Sequence, residues 1–174
     1  MLLVSGLAEH TRNLHADPRA GFLVAHAPDG DVLGGPRVTL IGTFERIEPE
    51  PAVVQRYLRY HPDAERYLAL GDFAFWTMQV DRLRYIGGFG AMGWLDAEDL
   101  DPLTPLAPDD ETALVQHFDN HPRRPATLEL AGIDRYGVDL KIDGARTRFM
   151  FDTPKTDQET LHAALEDCIE RHID

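Results

Sequence analysis

The run from Ser5 to Arg19, Ser-Gly-Leu-Ala-Glu-His-Thr-Arg-Asn-Leu-His-Ala-Asp-Pro-Arg, has the residue types and spacing of an anion site. It follows a short apolar strand, Leu2-Leu3-Val4, and ends on Asp17-Pro18, which stops a helix. Free N–H groups at a helix start, helped by the dipole and by a hydroxyl such as Ser5 or Thr11, can hold a phosphate or a carboxylate. The plainer reading of the same residues makes Ser5 a cap and Pro18 a stop. A second candidate is His117-x-x-x-His121, two imidazoles one helical turn apart, a spacing that suits a metal. No Glu or Cys completes that pair in sequence and Pro122 ends its helix, so capping or packing is expected there and no metal site. Gly87-Gly88-Phe89-Gly90 is not a dinucleotide fingerprint, because no βαβ unit follows it. Its glycines permit either a tight bend or the approach of a flat ring to the backbone. No Ser-His-Asp order, phosphate-binding loop or paired-carboxylate motif stands out, and the sequence names no catalytic residue.

These residues need a scaffold, and the patterning supplies one. Gly21 to Ala27 reads as a strand with a turn beginning at Asp29-Gly30. Arg37 to Glu48 is a longer strand with Val38, Leu40 and Phe44 on one face, and Gly42 marks a bulge or close approach in its middle. Pro51 opens a helix carrying Val53, Val54, Tyr57 and Leu58, and a second helical piece covers 64–70. Asp72 to Val80 alternates as a strand, and Leu83 to Phe89 follows after a tight connection. This succession suggests a small barrel or curled sheet.

Composition then shifts to Asp and Pro between Asp96 and Asp110, the mark of a stiff polar linker. Beyond it the pattern gives a helix from Glu111 to about Asn120, strands near 127–134, 137–142 and 146–151, and a last helix. Thr156-x-x-Glu159 reads as its capping box and Leu161, Leu165, Cys168 and Ile169 as its buried stripe. The second core is expected around Leu128, Leu130, Ile133, Leu140, Phe149, Leu161 and Leu165. The domains are therefore 1–100, a linker at 101–109, and an α-β-β-β-α domain at 110–174.

Composition bounds the partners. With 30 acidic residues against 17 Lys+Arg in 174 residues, the net charge of −13 repels nucleic acid and anionic membrane. Eight histidines leave room for pH-sensitive or ligand chemistry. The lone Cys168 excludes an internal disulfide. The apolar start lacks a basic region and a long hydrophobic run, so a cytoplasmic protein is expected.

Ser5-x-Leu7-Ala8-Glu9-His10-Thr11-Arg12-Asn13, with Asp17-Pro18-Arg19 after it, resembles the third strand and following helix of the flavin-binding split-barrel superfamily. That superfamily includes pyridoxamine phosphate oxidase, and the closer likeness is to its haem-utilisation (HugZ-like) branch. The resemblance continues through Gly71-Asp72-Phe73-Ala74-Phe75 and Ile86-Gly87-Gly88-Phe89-Gly90. Gly132-Ile133-Asp134-Arg135-Tyr136-Gly137-Val138-Asp139-Leu140 resembles the accessory domain often fused to these barrels. The family's opening helix and first two strands have no counterpart in this sequence.

The resemblance implies an α+β fold, a split β-barrel of the FMN-binding type with a C-terminal α-β-β-β-α domain. It implies a homodimer with a flat anionic ligand at the barrel's dimer interface. The cofactor contacts fall on Ser5, His10, Thr11, Arg12, Asn13, Gly88 and Phe89. Haem is the expected cofactor: His10 offers an imidazole, Phe89 and Trp76 offer walls, and Arg12 or Arg37 offers a cation. The alternative is FMN, its phosphate held by Ser5, His10 and Thr11 with Gly88 near the ring. Glu9-His10 stands where the flavin oxidases place basic residues, which counts against FMN. A third reading is a cofactor-free module that binds a protein partner.

Overall fold

A computed structural model describes residues 1–25, 30–32, 34–88, 90–100 and 103–172. Phe89 and Pro102, like the end of the strand expected at 26–27, lie outside the described residues. The chain separates into two units. The first comprises 1–49 and 64–103, the second 50–63 and 104–174.

The first unit is a curled antiparallel sheet of five strands: β1 (Leu2–Ser5), β2 (Arg19–Ala25), β3 (Arg37–Ile47), β4 (Phe73–Gly88) and β5 (Ala91–Asp96). The order is β1-β4-β3-β2, and β5 also pairs with β4. Strand β4 organises the sheet, pairing with β3 along one side and with β1 and then β5 along the other. The two strands expected over 72–89 are thus one. What looked like a connection is a register shift, with Gly42 opposite Val80 and Ile41 opposite Arg82, so Asp81 is the extra residue. Gly42 sits at this point because a side chain there would run into the Gln79 carbonyl oxygen. Helix α1 (Glu9–Ala16) follows β1, and a short helix, α3 (Ala64–Leu68), precedes β4.

The second unit contains α2 (Pro51–Tyr60), α4 (Pro108–Asp119), β6 (Leu128–Ile133), β7 (Gly137–Ile142), β8 (Ala145–Met150) and α5 (Gln158–Glu170). After α2 this is the expected α-β-β-β-α order, with an antiparallel sheet β6-β7-β8. Helix α2 also belongs to this unit. Its Arg56 and Arg59 reach Glu111, which is 1% exposed and also accepts the Ile133 N–H. The core gathers Leu114, Phe118, Leu128, Ile133, Val138, Leu140, Leu161, Leu165 and Ile169. Phe149 was expected in it but lies on the edge strand β8, all of whose residues are exposed. The capping box read at Thr156 is also corrected: Asp157 is the N-cap, accepting the Thr160 N–H at 2.8 Å. Helix α4 begins on Pro108, inside the stretch read as linker.

Candidate functional site

Helix α1 and the sheet form a cleft of about 440 Å³. Leu2 pairs with Trp76, Arg46 also pairs with Trp76, and Phe44 pairs with Met78. The two-residue period of a strand therefore sets Leu2, Val4, Phe44 and Trp76 on one face. Phe22 of β2 joins them opposite Leu40. At about 100° per residue, His10, Asn13, Leu14 and Asp17 share one side of α1, and all four line the cleft. The result is an aromatic and aliphatic floor facing one imidazole and one carboxamide.

The cleft's polar groups differ in availability. His10 is exposed and its ring has no hydrogen-bond partner among the described residues. Trp76 is 4% exposed, and its buried indole N–H also has none. Such a donor is costly to leave unpaired in a dry interior and marks a place where an acceptor is missing. His15 meets the Trp76 ring edge-on, 5.1 Å between centroids. At the mouth, Arg19 grips Asp17 with two bonds of 2.9 and 2.6 Å. Those bonds hold the Asp17 carboxyl down at about 2 and neutralise Arg19.

The sequence-derived candidates separate accordingly. His10 and Asn13 come together on the cleft with Trp76. Ser5 is occupied by the fold: its hydroxyl donates to Asp72 at 2.6 Å and accepts the Leu7 N–H at 3.1 Å. Thr11, 2% exposed, donates to the Ser5 carbonyl oxygen at 2.7 Å. The cap of α1 is Ala8, with no side-chain bond, so the helix start is fastened by this turn. Arg12 is exposed and lies about 200° around α1 from His10, away from the cleft. Gly88, at φ 136°, lies at the far end of β4 and does not line the cleft. Leu14, Phe22 and Phe44 were missed. Their alternation with polar neighbours fitted a strand or helix face, but no sequence signal says which face a ligand meets.

A curled antiparallel half-barrel with a helix lying over one face of the sheet defines a split-barrel protein. The chain belongs to the CREG β-barrel family, whose family model, "CREG, beta-barrel", matches residues 1–100. It is similar to the chloroplastic heme oxygenase HOZ of Arabidopsis thaliana, 36% identical over 90 residues. Those residues are 51% of this chain and 27% of the relative, so the chain spans about a quarter of that protein's length. The solved structure of a heme binding protein from Mycobacterium smegmatis is 31% identical, with a TM-score of 0.50. That likeness covers 98% of this chain and 79% of that one. The protein Atu2129 from Agrobacterium tumefaciens, of unknown function, shares the fold at 22% identity. Its TM-score is 0.71, over 95% of this chain and 75% of its own. Among the described residues, no helix is long and apolar enough to cross a membrane.

Proposed function

We propose that the cleft between α1 and the sheet binds haem. The observation that carries the reading is an unpartnered imidazole, His10, on the same apolar cleft as the unpartnered indole N–H of Trp76. A haem site asks for flat apolar walls, an axial ligand such as neutral imidazole, and polar groups for the propionates. Phe22, Phe44 and Trp76 supply walls, His10 the ligand, and Asn13 a polar group beside it. Two relatives named for haem, the Arabidopsis heme oxygenase and the mycobacterial heme binding protein, support the same class of ligand. Bound haem would supply redox chemistry at its iron, and the chain's own part is to hold and orient it and to exclude water. Oxygenase activity is a reaction to assay in the loaded protein.

FMN is the weaker reading, because the two hydroxyls expected to hold its phosphate, Ser5 and Thr11, are spent on Asp72 and on the Ser5 carbonyl. In this reading the site is completed in a homodimer. The cleft's face of the sheet continues past Phe22 as Val24, Leu40, Tyr85 and Leu95, of which Val24, Tyr85 and Leu95 are exposed. A contiguous exposed apolar face of this kind marks an interaction surface, and a second copy of the chain would cover it. Titration of the full chain with haemin and, separately, with FMN tests the choice of ligand. A saturable Soret change with haemin and no change in flavin fluorescence is expected; the converse result overturns the assignment.

A further inference from the structure

The face of the first sheet opposite the cleft carries an exposed patch of arginine and tryptophan. Arg84 pairs with Thr39 on one side and with Trp94 on the other, so these three share that face. The two-residue period of the strands adds Arg37, Arg82 and Met92 to it. Trp94 is 49% exposed, and Met92 beside it is exposed too. The Arg82 and Arg84 guanidiniums lie over the Trp94 ring, 4.6 and 5.6 Å from its centroid. Neither has an ion pair or a side-chain hydrogen bond among the described residues, in a chain with 30 acids against 17 Lys+Arg. Arg37 donates to the Gly35 carbonyl oxygen. Asp96, across from Arg82, turns its carboxylate to accept the Asp99 N–H.

We infer that this face docks an extended acidic segment of a partner protein. Charge complementarity names the chemistry. A guanidinium lying flat on an aromatic ring keeps its N–H edge turned outward, and that edge matches a carboxylate with two parallel bonds. Two such groups over one ring ask for two carboxylates. Trp94 and Met92 add the apolar contact that binding hot spots combine with arginine. Strand β5 sets the conformation of the segment. It pairs with β4 alone and ends the sheet there, and all six of its residues are exposed with Asp96 as the one charge. An edge so lightly guarded accepts another strand, whose backbone bonds to β5 and whose side chains lie beside Trp94. Both guanidiniums lean over Trp94, so carboxylates on the added strand come next to them.

The rest of the chain narrows the partner. A net charge of −13 opposes a long polyanion such as nucleic acid and an anionic membrane. A short acidic segment instead meets the local cations within the Debye length of about 8 Å. With a second copy on the cleft's face, another copy here would extend the dimer into an open chain.

The probe is a fluorescein-labelled peptide, Glu-Tyr-Glu-Val-Glu-Val-Glu, which as a strand sets all its carboxylates on one face. Its anisotropy is expected to rise saturably as full-length protein is added to tens of micromolar. The same peptide with Gln for every Glu is expected not to bind. Arg82→Gln/Arg84→Gln is expected to weaken binding of the Glu peptide about tenfold. It is expected to leave the melting temperature and the sedimentation mass unchanged, since both side chains are exposed. Arg123→Gln, the same loss of charge in the other unit, is expected to bind the peptide as the parent does. Absence of binding by the Glu peptide, equal binding by the Gln peptide, or an affinity unmoved in the double variant would overturn the site. Displacement of the peptide by a short DNA duplex or by phosphatidylserine vesicles would overturn it in favour of a phosphate surface. Loss of a dimer in the double variant would overturn it in favour of a second copy.

Discussion

At the scale of single residues, the turn between β1 and α1 depends on side chains that resemble ligand holders. The Thr11 hydroxyl and the Ser5 hydroxyl close that turn onto Ser5 and Asp72. Thr11→Val keeps the volume and removes the donor, leaving the half-buried Ser5 carbonyl with the Ala8 N–H but without its side-chain donor. It is expected to cost about 1–2 kcal/mol in denaturant unfolding, with haem affinity of the folded protein unchanged. A variant as stable as the parent but unable to bind haem would return Thr11 to the site. His10 and Asn13 were readable as neighbours because helical spacing alone sets them on one side. The role of Ser5 was not readable, since its acceptor lies 67 residues away.

Elements were legible where periodicity was strong and were misjudged where a long-range contact decided. Helices α1, α2 and α5 and strands β3, β6 and β7 follow their apolar patterns. Strand β4 was split in two because the extra residue, Asp81, breaks the alternation that a bulge tolerates. Strand β5, exposed on every residue, gave no half-buried pattern to read. Two predictions belong here. Glu111→Ala strands Arg56 and Arg59 beside a buried cavity and is expected to destabilise the second unit by about 3 kcal/mol in denaturant unfolding. The second concerns acid. Asp157 caps α5 as a carboxylate, and the bonds from Thr160, backbone N–H first, hold its carboxyl below the ordinary range. Its contribution is present at neutral pH and is lost as pH falls below about 4 and through the lowered value. Asp157→Asn still accepts the Thr160 N–H but no longer titrates. Its melting temperature is therefore expected to fall less than the parent's between pH 6 and pH 3. An identical fall in both proteins would assign the acid response elsewhere.

On the scale of the whole molecule, the chain enters the second unit twice, at 50–63 and again from 104. Composition points to the Asp/Pro stretch because linkers are local. Nothing local marks the excursion of α2, which is tied by Arg56, Arg59 and Tyr60 to residues far along the chain. A fragment of residues 104–174 lacks that helix and is expected to unfold less cooperatively than the second unit does in the full chain. Calorimetry of the fragment showing the full chain's transition would contradict this. The apolar face beyond Phe22 predicts a dimer mass by sedimentation at micromolar concentration. All of these features serve one claim, that the cleft over Trp76 holds haem through His10. Absorption spectra of the haemin-loaded parent and of His10→Ala test it most directly. The account predicts a shifted or lost Soret band in the variant, since removing the imidazole alters the iron's environment. An identical haem spectrum in both proteins would contradict it.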